Sequence, residues 1–285
     1  MGIRKLFYKA FVGGCWSVAY RDMQEKTAFQ DARKGLPENQ WVADPFLFEY
    51  QGQHYLFCEQ YETELNRAVI GYYIFEDGVP VNKGIVIRQP YHMSYPCVFS
   101  YNDTVYMIPE TSANKTVELY RAVEFPDKWV LDSVLMENVR CVDSTAFEDK
   151  EGLRLLTYEK RDKEWALTCY ALNMEEKTLQ KCSEKVYKTN VGRPAGNLWR
   201  EAGKLFRPAQ DCAEKYGEAL LVYEMDGATL SENLVKKITA QETGVPAQRI
   251  HTINRDNRYE VVDIFRERFD LLHGWKIFKR AVLKK

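Results

Sequence analysis

The sequence predicts an all-β fold built from repeated units, and three observations support this prediction. A strand-turn-strand pattern with Gly or Asn-Asp in the turn recurs along the chain, and its copies begin at residues 43, 94, 142 and 192. These starts are 51, 48 and 50 residues apart, and self-similarity at such a period is typical of propellers and solenoids. Aromatic residues make up 13% of the 285 residues, which favours strands over helices.

Each unit contains four predicted strands. In the first unit, the hairpin strands cover 46–50 and 53–59, and two more strands follow at 68–75 and 84–89. Four antiparallel strands in about 50 residues form one blade of a β-propeller, and five such blades account for most of the chain. We therefore predict a five-bladed β-propeller. A β-sandwich and a β-helix are the alternatives, although a sandwich would not need a regular period.

The predicted propeller forms a single domain over residues 1–285. Its blades are expected near 41–90, 91–138, 141–188, 191–238 and 249–265. A strand near 16–22 is expected to join the last blade and close the ring, because an open array would leave unpaired strand edges.

Residues 266–285 are predicted to form a basic amphipathic tail with a short helix. Within it, 274–285 contains five Lys or Arg residues and no acid. Together with the basic residues at the N-terminus, these cations favour peripheral contact with an anionic membrane surface. The alternative is a terminal segment that docks on the propeller or frays from it.

Composition and charge exclude several classes of function. The net charge of −1 gives no sign of a nucleic-acid binder. The seven Cys residues lack CxxC or CxxH spacing, which argues against a disulfide framework and a structural zinc site. A signal peptide, a myristoylation motif and an uncharged apolar run of about 18 residues are not found, so we expect a cytoplasmic protein, at the inner face of the membrane if its termini bind lipid.

The repeat gathers polar side chains at one end of the predicted propeller axis. The first strand of a blade lines the axis and the second runs antiparallel to it, so the start of one and the end of the other share a face. The residues expected there are Trp41, Asp44, Glu59, Tyr95, Glu110, Asp143, Glu159, Arg193, Arg207, Asp211 and His251. Each acid alone is explained by a turn or a solvated strand end. A buried cluster of acids instead needs cations or a ligand, so the set predicts a polar pocket.

The ordered motifs "WVADPFLF", "SYPCVF", "DSTAF", "GRPAG" and "HTIN" carry a resemblance to a known family. They resemble the five-bladed propeller domain at the N-terminus of plant glucosamine inositolphosphorylceramide transferases, over about residues 40–265. More distantly, the chain is similar to family 43 glycoside hydrolases.

The resemblance to the hydrolases implies roles for individual residues. Asp44 matches the first-blade acid that serves as base, and Asp143 matches the acid that tunes it. His251 matches a central histidine that contacts a calcium ion or its water, so a divalent cation is the one cofactor that the resemblance suggests. The hydrolases carry a proton-donating glutamic acid on the fourth blade, where this chain has Arg193.

Three functions follow from these residues. The leading hypothesis is a sugar transferase in cell-surface glycan or glycolipid assembly, acting on a sugar or nucleotide sugar and a glycan acceptor. Asp44 would activate the acceptor hydroxyl, Asp143 would position it, and Arg193 and Arg207 would bind a diphosphate. The absence of GxGxxG and GxxxxGK[ST] motifs counts against the familiar nucleotide-binding folds.

Two alternatives differ in their chemistry. A glycoside hydrolase would need Glu110 or Asp211 as the proton donor in place of the missing fourth-blade acid. A non-catalytic glycan-binding module would instead stack sugars on Trp41, Tyr95 and Trp199.

Overall fold

The computed structural model describes residues 12–32, 40–269 and 275. Its strands form five antiparallel sheets of four strands each, which confirms the predicted five-bladed β-propeller. In chain order, the first ten strands are β1 (Val12–Asp22), β2 (Gln30–Asp31), β3 (Gln40–Tyr50), β4 (Gln53–Glu62), β5 (Arg67–Glu76), β6 (Val79–Ile87), β7 (Ser94–Tyr101), β8 (Thr104–Thr111), β9 (Thr116–Glu124) and β10 (Lys128–Glu137).

The second half of the chain contributes the other ten described strands. They are β11 (Val142–Asp149), β12 (Gly152–Arg161), β13 (Glu164–Asn173), β14 (Thr178–Tyr187), β15 (Trp199–Glu201), β16 (Lys204–Asp211), β17 (Ala219–Met225), β18 (Glu232–Thr239), β19 (Ile253–Arg255) and β20 (Tyr259–Phe269). Two short 3-10 helices, Ser112–Asn114 and Ala240–Thr243, follow β8 and β18.

Blades 1 to 4 each use four consecutive strands, whereas blade 5 combines the two ends of the chain. Its strand order is β19, β20, β1 and β2. β1 pairs with β20 from Val12 opposite Phe269 to Asp22 opposite Tyr259, and it contains the strand expected at 16–22. The first strand pairs with the last, so the ring is closed by hydrogen bonds.

The predicted C-terminal tail begins later than expected, because residues 266–269 belong to β20. Apart from Trp275, the rest of the tail lies outside the described residues, and so does the proposed helix. Membrane contact through the termini therefore stays a prediction. Among the described residues, we find no helix with the length and hydropathy needed to cross a bilayer.

The axial strands of blades 1, 2 and 3 share one irregularity. β3, β7 and β11 each lose register with the second strand of their blade at an equivalent place. One residue at each shift has a left-handed backbone: Asp44 (φ 48°), Tyr95 (φ 46°) and Asp143 (φ 49°). A left-handed backbone costs a non-glycine residue about 1–2 kcal/mol. β-Bulges re-aim side chains, so the repeated bulge sets which residues reach this end of the axis.

Apolar side chains pack between neighbouring blades and leave the axis to polar groups. The largest buried cluster includes Phe46 of blade 1, Met107 of blade 2 and Leu155 of blade 3. At the junction of blades 4 and 5, Gly196 has φ 127°, and a Cβ there would lie 1.9 Å from the carbonyl oxygen of Ile253. Only glycine fits this approach of two backbones near the axis.

Candidate functional site

A pocket of about 240 Å³ opens at the end of the axis where β3 and β4 carry their acids. It is lined by Trp16, Trp41, Ala43, Asp44, Glu59, His92, Ser94, Glu110, Arg193, Tyr216 and His251. Six of the eleven residues expected at this face therefore line the pocket, whereas Glu159 pairs with Arg161 outside it. Cavities of about 520 and 690 Å³ lie elsewhere, where Lys204 pairs with Glu224 and Lys237 pairs with Asp211.

Asp44 is one of the acids that line this pocket, and it is 5% exposed. Its Oδ1 accepts a hydrogen bond from the Thr252 hydroxyl at 2.8 Å, and its Oδ2 accepts one from the Tyr95 backbone N–H at 3.2 Å. His251 Nε2 lies 3.4 Å from Oδ1. Burial raises the pKa of Asp44, and the charge of His251 opposes this shift. The carboxylate is thus held in one orientation.

Asp263 of β20 supports the pocket from behind. Its Oδ1 accepts the backbone N–H groups of His251 at 3.0 Å and Thr252 at 2.9 Å, and its Oδ2 accepts that of Asp44 at 3.1 Å. Oδ2 also lies 2.6 Å from His251 Nδ1, as an ion pair that is not aligned as a hydrogen bond. Burial lowers the pKa of His251, but the carboxylates of Asp263 and Asp44 raise it overall to about 8. A cationic imidazole therefore separates two carboxylates.

Asp44, His251 and Asp263 also form the one group, among the described residues, whose ligand atoms lie close enough to hold a metal ion, within 4.8 Å of one another. Calcium takes about six to eight oxygen ligands. This group offers one imidazole and two carboxylates whose oxygens already accept protein hydrogen bonds. One imidazole and two carboxylates fall short of the oxygen ligands that calcium requires, so these residues do not fit a resident calcium ion.

Arg193 joins two acids at the opposite wall of the pocket. Its guanidinium contacts both oxygens of Asp143, through Nε and through Nη2 at 3.1 Å, and Nη2 lies 3.4 Å from Glu110 Oε2. The Gln210 side-chain amide donates to Asp143 at 2.7 Å. Burial raises the pKa of Asp143 to about 7, although Arg193 opposes the shift. Asp143 does not line the pocket itself, but it contacts Arg193, which does.

Glu59 of β4 lines the pocket beside Asp44. It is 5% exposed, and His92 Nε2 lies 3.2 Å from its Oε1. Burial raises the pKa of Glu59 to about 7, against the effect of the His92 hydrogen bond. Sequence patterns gave no indication of His92, because it comes from the connection between β6 and β7 and has no repeat position.

Aromatic rings form the remaining walls. Trp16 packs on the His251 ring with centroids 4.0 Å apart, and Tyr216 meets Trp16 edge-on at 6.2 Å. Gly217, with φ 65°, allows this approach, since a Cβ there would lie 3.0 Å from the Trp16 ring. Trp41 stacks on Tyr61 at 4.8 Å. Trp16 and Tyr216 escaped the sequence prediction because neither follows the repeat.

Four further residues that the sequence assigned to the site lie elsewhere. Tyr95 is fully buried, and its hydroxyl accepts the Gly196 N–H at 2.7 Å. Arg207 is also fully buried and pairs with Glu232 at 2.7 Å, so it is not placed to bind a diphosphate in the pocket. Asp211 pairs with Lys237 at 2.7 Å. Trp199 lies under Arg255, beside a separate cavity of about 290 Å³.

The alternation of side chains along β16 explains two of these differences. Gln210 points to the axis and contacts Asp143. Successive residues of a strand face opposite sides, so Arg207 and Asp211, which share the other parity, point away. The interpretation of β16 from sequence was therefore one residue out of phase.

The molecule shares its fold with solved glycoside hydrolases. A thermostable family-43 glycoside hydrolase superposes with a TM-score of 0.59 at 11% identity, covering 82% of this chain and 91% of that chain. At this identity the likeness shows the fold alone. Residues 13–266 match the family described as "Glucosamine inositolphosphorylceramide transferase 1, N-terminal", and the chain belongs to this family.

Plant proteins of that name are similar to the chain over most of its length. The rice (Oryza sativa subsp. japonica) protein is 31% identical over 209 residues, which are 70% of this chain and 28% of the rice protein. The Arabidopsis thaliana protein is 32% identical over 203 residues, 67% of this chain and 26% of its own length. The chain thus matches little more than a quarter of each relative.

Proposed function

We propose that the axial pocket binds one sugar ring and transfers a glycosyl group to a hydroxyl during assembly of a cell-surface glycan or glycolipid. The observation that carries this proposal is the fixed Asp44 carboxylate in a pocket of about 240 Å³ with aromatic and acidic walls. This volume lies below the range of about 300–1,000 Å³ for drug-sized ligands, which suits a single sugar ring. The family adds support, because its plant members are named as transferases.

Asp44 is suited to act as a general base. A base is most effective when its pKa lies near the working pH, and burial moves the pKa of Asp44 in that direction. Thr252 and the Tyr95 N–H hold both carboxylate oxygens. The ionised Asp44 would take the proton of the acceptor hydroxyl as the new glycosyl bond forms.

The charge of the pocket selects the kind of sugar. Asp44, Glu59 and Glu110 face the cavity, and the facing cation Arg193 already pairs with Asp143. His251 is likewise balanced by Asp263. An excess of acids repels phosphate and carboxylate groups but accepts a neutral or aminated ring. We therefore propose a neutral sugar or an amino sugar of the glucosamine type.

The test uses the Asp44→Asn variant, which keeps the size of the side chain and removes the base. Binding of a panel of monosaccharides, including glucosamine, is measured by calorimetry, and transfer to a glycan or inositol-containing acceptor is followed by mass spectrometry. We expect transfer to fall about 10²–10⁴-fold while sugar binding persists. Asp132→Asn is the matched control, because Asp132 pairs with Arg121 and Lys177 away from the pocket.

Hydrolysis is the second candidate function, since Glu59 gives the pocket a second buried carboxylate beside Asp44. In that case water replaces the acceptor, and free sugar appears in the same assay without an acceptor. Sugar binding with no turnover by the wild-type protein would contradict both functions and favour a glycan-binding module.

A further inference from the structure

We infer that Glu59 is the proton donor to the leaving oxygen of the glycosyl group, and that His92 is its positioning residue. This inference rests on the proposed function and names the class of donor. The donor is a glycoside, whose departing oxygen needs a proton, rather than a sugar diphosphate.

The position of Glu59 follows from the pairing of β3 with β4. Glu59 lies opposite Ala43 in the register, directly beside the bulge that carries Asp44. Both residues line the same cavity, and the Glu59 side chain is 7% exposed. Two carboxylates on adjacent strands therefore face one sugar-sized space, which gives a bound glycoside access to both an acid and a base.

His92 is held so that it orients Glu59. The Ala68 backbone N–H donates to His92 Nδ1 at 3.1 Å, which places the ring proton on Nε2. Nε2–H then donates to Glu59 Oε1 at 3.2 Å. A proton on Glu59 is thereby directed to the other oxygen, Oε2. The hydrogen bond to Glu59 raises the pKa of His92, but protonation of Nδ1 would set two N–H donors against each other.

The charges around Glu59 come from three other elements. Asp44 approaches from β3, His92 from the connection before β7, and His251 from blade 5. Glu110 and Arg193 line the far wall of the cavity. Burial raises the pKa of Glu59 to about 7, so a substantial protonated fraction is present near neutral pH.

Glycosyl transfer by these two residues conserves protons and electrons. The bond between the sugar carbon and the leaving oxygen breaks with its electron pair on the oxygen, which takes the proton of Glu59. A new bond forms between the sugar carbon and the acceptor oxygen, whose proton passes to Asp44. One proton has then left Glu59 and one has reached Asp44, and exchange with solvent restores both.

The chemistry of the leaving group tests this role. We would assay 2,4-dinitrophenyl and methyl glucosaminides, in both anomers, with an acceptor alcohol present. The dinitrophenolate leaves without a proton, whereas methoxide does not. We expect Glu59→Gln to lose about 10²–10⁴-fold with the methyl donor and less than about tenfold with the dinitrophenyl donor. Asp44→Asn should lose activity with both donors.

The pH profile separates positioning by His92 from a structural role. In the wild type, kcat/KM for the methyl donor should fall as the pH rises through the pKa of Glu59 near 7. His92→Phe removes the N–H donor and should move this fall upward by about one pH unit. His92→Gln keeps an N–H donor and should stay near the wild-type profile. Any fall that persists in Glu59→Gln belongs to another group, and Asp143, with a pKa of about 7, and His251, with a pKa of about 8, are the two candidates.

The outcomes keep the two proposals apart. If Glu59→Gln slows both donors equally while Asp44→Asn is inactive, glycosyl transfer stands and the donor role of Glu59 is overturned. If His92→Phe lowers activity without moving the pH profile, His92 is not a positioning residue. If the wild-type protein binds glucosamine and turns over neither glucosaminide, the inference fails; the proposed function fails with it only if a nucleotide-sugar donor gives no transfer either.

Discussion

Two groups of buried charges in this propeller differ in how completely their members neutralise one another. The pocket group consists of Asp44, Glu59, Glu110, Asp143, Arg193, His251 and Asp263. The blade 4 pair consists of Arg207 and Glu232, whose side chains are 0% and 1% exposed. In the pocket group, the Asp143 and Asp263 side chains are as buried as this pair, at 1% and 0% exposed, so burial alone does not distinguish the two groups.

The blade 4 pair is satisfied by the protein. Arg207 donates two hydrogen bonds to Glu232 and one each to the Gly192 carbonyl and the Tyr187 hydroxyl. Burial would raise the pKa of Glu232, but Arg207 lowers it below its ordinary value. Lys185, 3.2 Å from Glu232, adds to this effect.

The pocket group has more acids than cations, and the pKa values of three of its carboxyls, Asp44, Glu59 and Asp143, move the other way. Burial raises the pKa of both Glu59 and Asp143 to about 7. Burial thus outweighs the neighbouring cations at these two carboxyls, and raised pKa values of this kind are typical of groups that act in acid and base catalysis. The direction in which the pKa of a buried carboxyl shifts therefore separates a structural buried charge from a candidate catalytic one.

The largest expected effect comes from breaking the blade 4 pair. Arg207→Met should lower the free energy of unfolding by about 3–5 kcal/mol, because it leaves Glu232 buried without its main partner. Urea unfolding measures the loss. Lys185 remains beside Glu232 and places the expected value toward the lower end of this range.

The double variant Arg207→Met with Glu232→Leu is the control for that measurement. Replacing both charges by apolar groups should recover most of the lost stability. A double variant as unstable as the single one would mean that Arg207 stabilises the protein by packing against Tyr223 rather than by its charge. The blade 4 pair would then not be an example of a structural buried charge.

The second prediction concerns the pH dependence of the free energy of unfolding. This dependence has opposite signs for a carboxyl group with a raised pKa and for one with a lowered pKa. The pKa of Glu59 is about 7 in the folded protein and about 4.3 in an unfolded chain. Between these values the folded state binds more protons, so the free energy of unfolding falls as the pH rises, by at most about 1.4 kcal/mol per pH unit. Glu59→Gln removes this loss, so the free energy of unfolding of the variant should rise relative to that of the wild type from pH 5 to pH 7.

Asp132→Asn provides the contrast. Burial would raise the pKa of Asp132, but Lys177 and Arg121 lower it, so its contribution to stability is present above its unfolded pKa and is lost as the pH falls. Its difference from the wild type should therefore change only at acid pH. A Glu59→Gln difference that stays constant between pH 5 and 7 would show that Glu59 is ionised throughout this range.

The sequence was sufficient to predict the fold because the signal was repeated. A spacing near 50 residues, with a turn at the same place in each copy, left few architectures to consider. The positions of Asp44 and Glu59 at strand ends also followed from the repeat. The same rule points to Asp263, which occupies in blade 5 the place that Glu59 and Glu110 occupy in blades 1 and 2.

The rest of the site depends on information that a repeat does not contain. His92 and Tyr216 come from connections between strands, and Trp16 comes from a strand that joins blade 5 from the other end of the chain. Arg207 and Asp211 were misplaced because a one-residue change of phase moves a side chain to the opposite face of a strand. Loop conformation and strand phase are set by tertiary packing.

The smallest expected effect is at Asp211, which the sequence placed with the catalytic acids. Its side chain pairs with Lys237, which is 48% exposed, and such pairs contribute about 0–1 kcal/mol. Asp211→Asn should therefore change the free energy of unfolding by less than about 1 kcal/mol and leave sugar binding and transfer unchanged. Lys237→Gln is the matched control and should behave in the same way. Loss of transfer in Asp211→Asn, with Lys237→Gln unaffected, would mean that Asp211 takes part in the reaction. In that case, lining this pocket would not be the property that identifies the reacting residues.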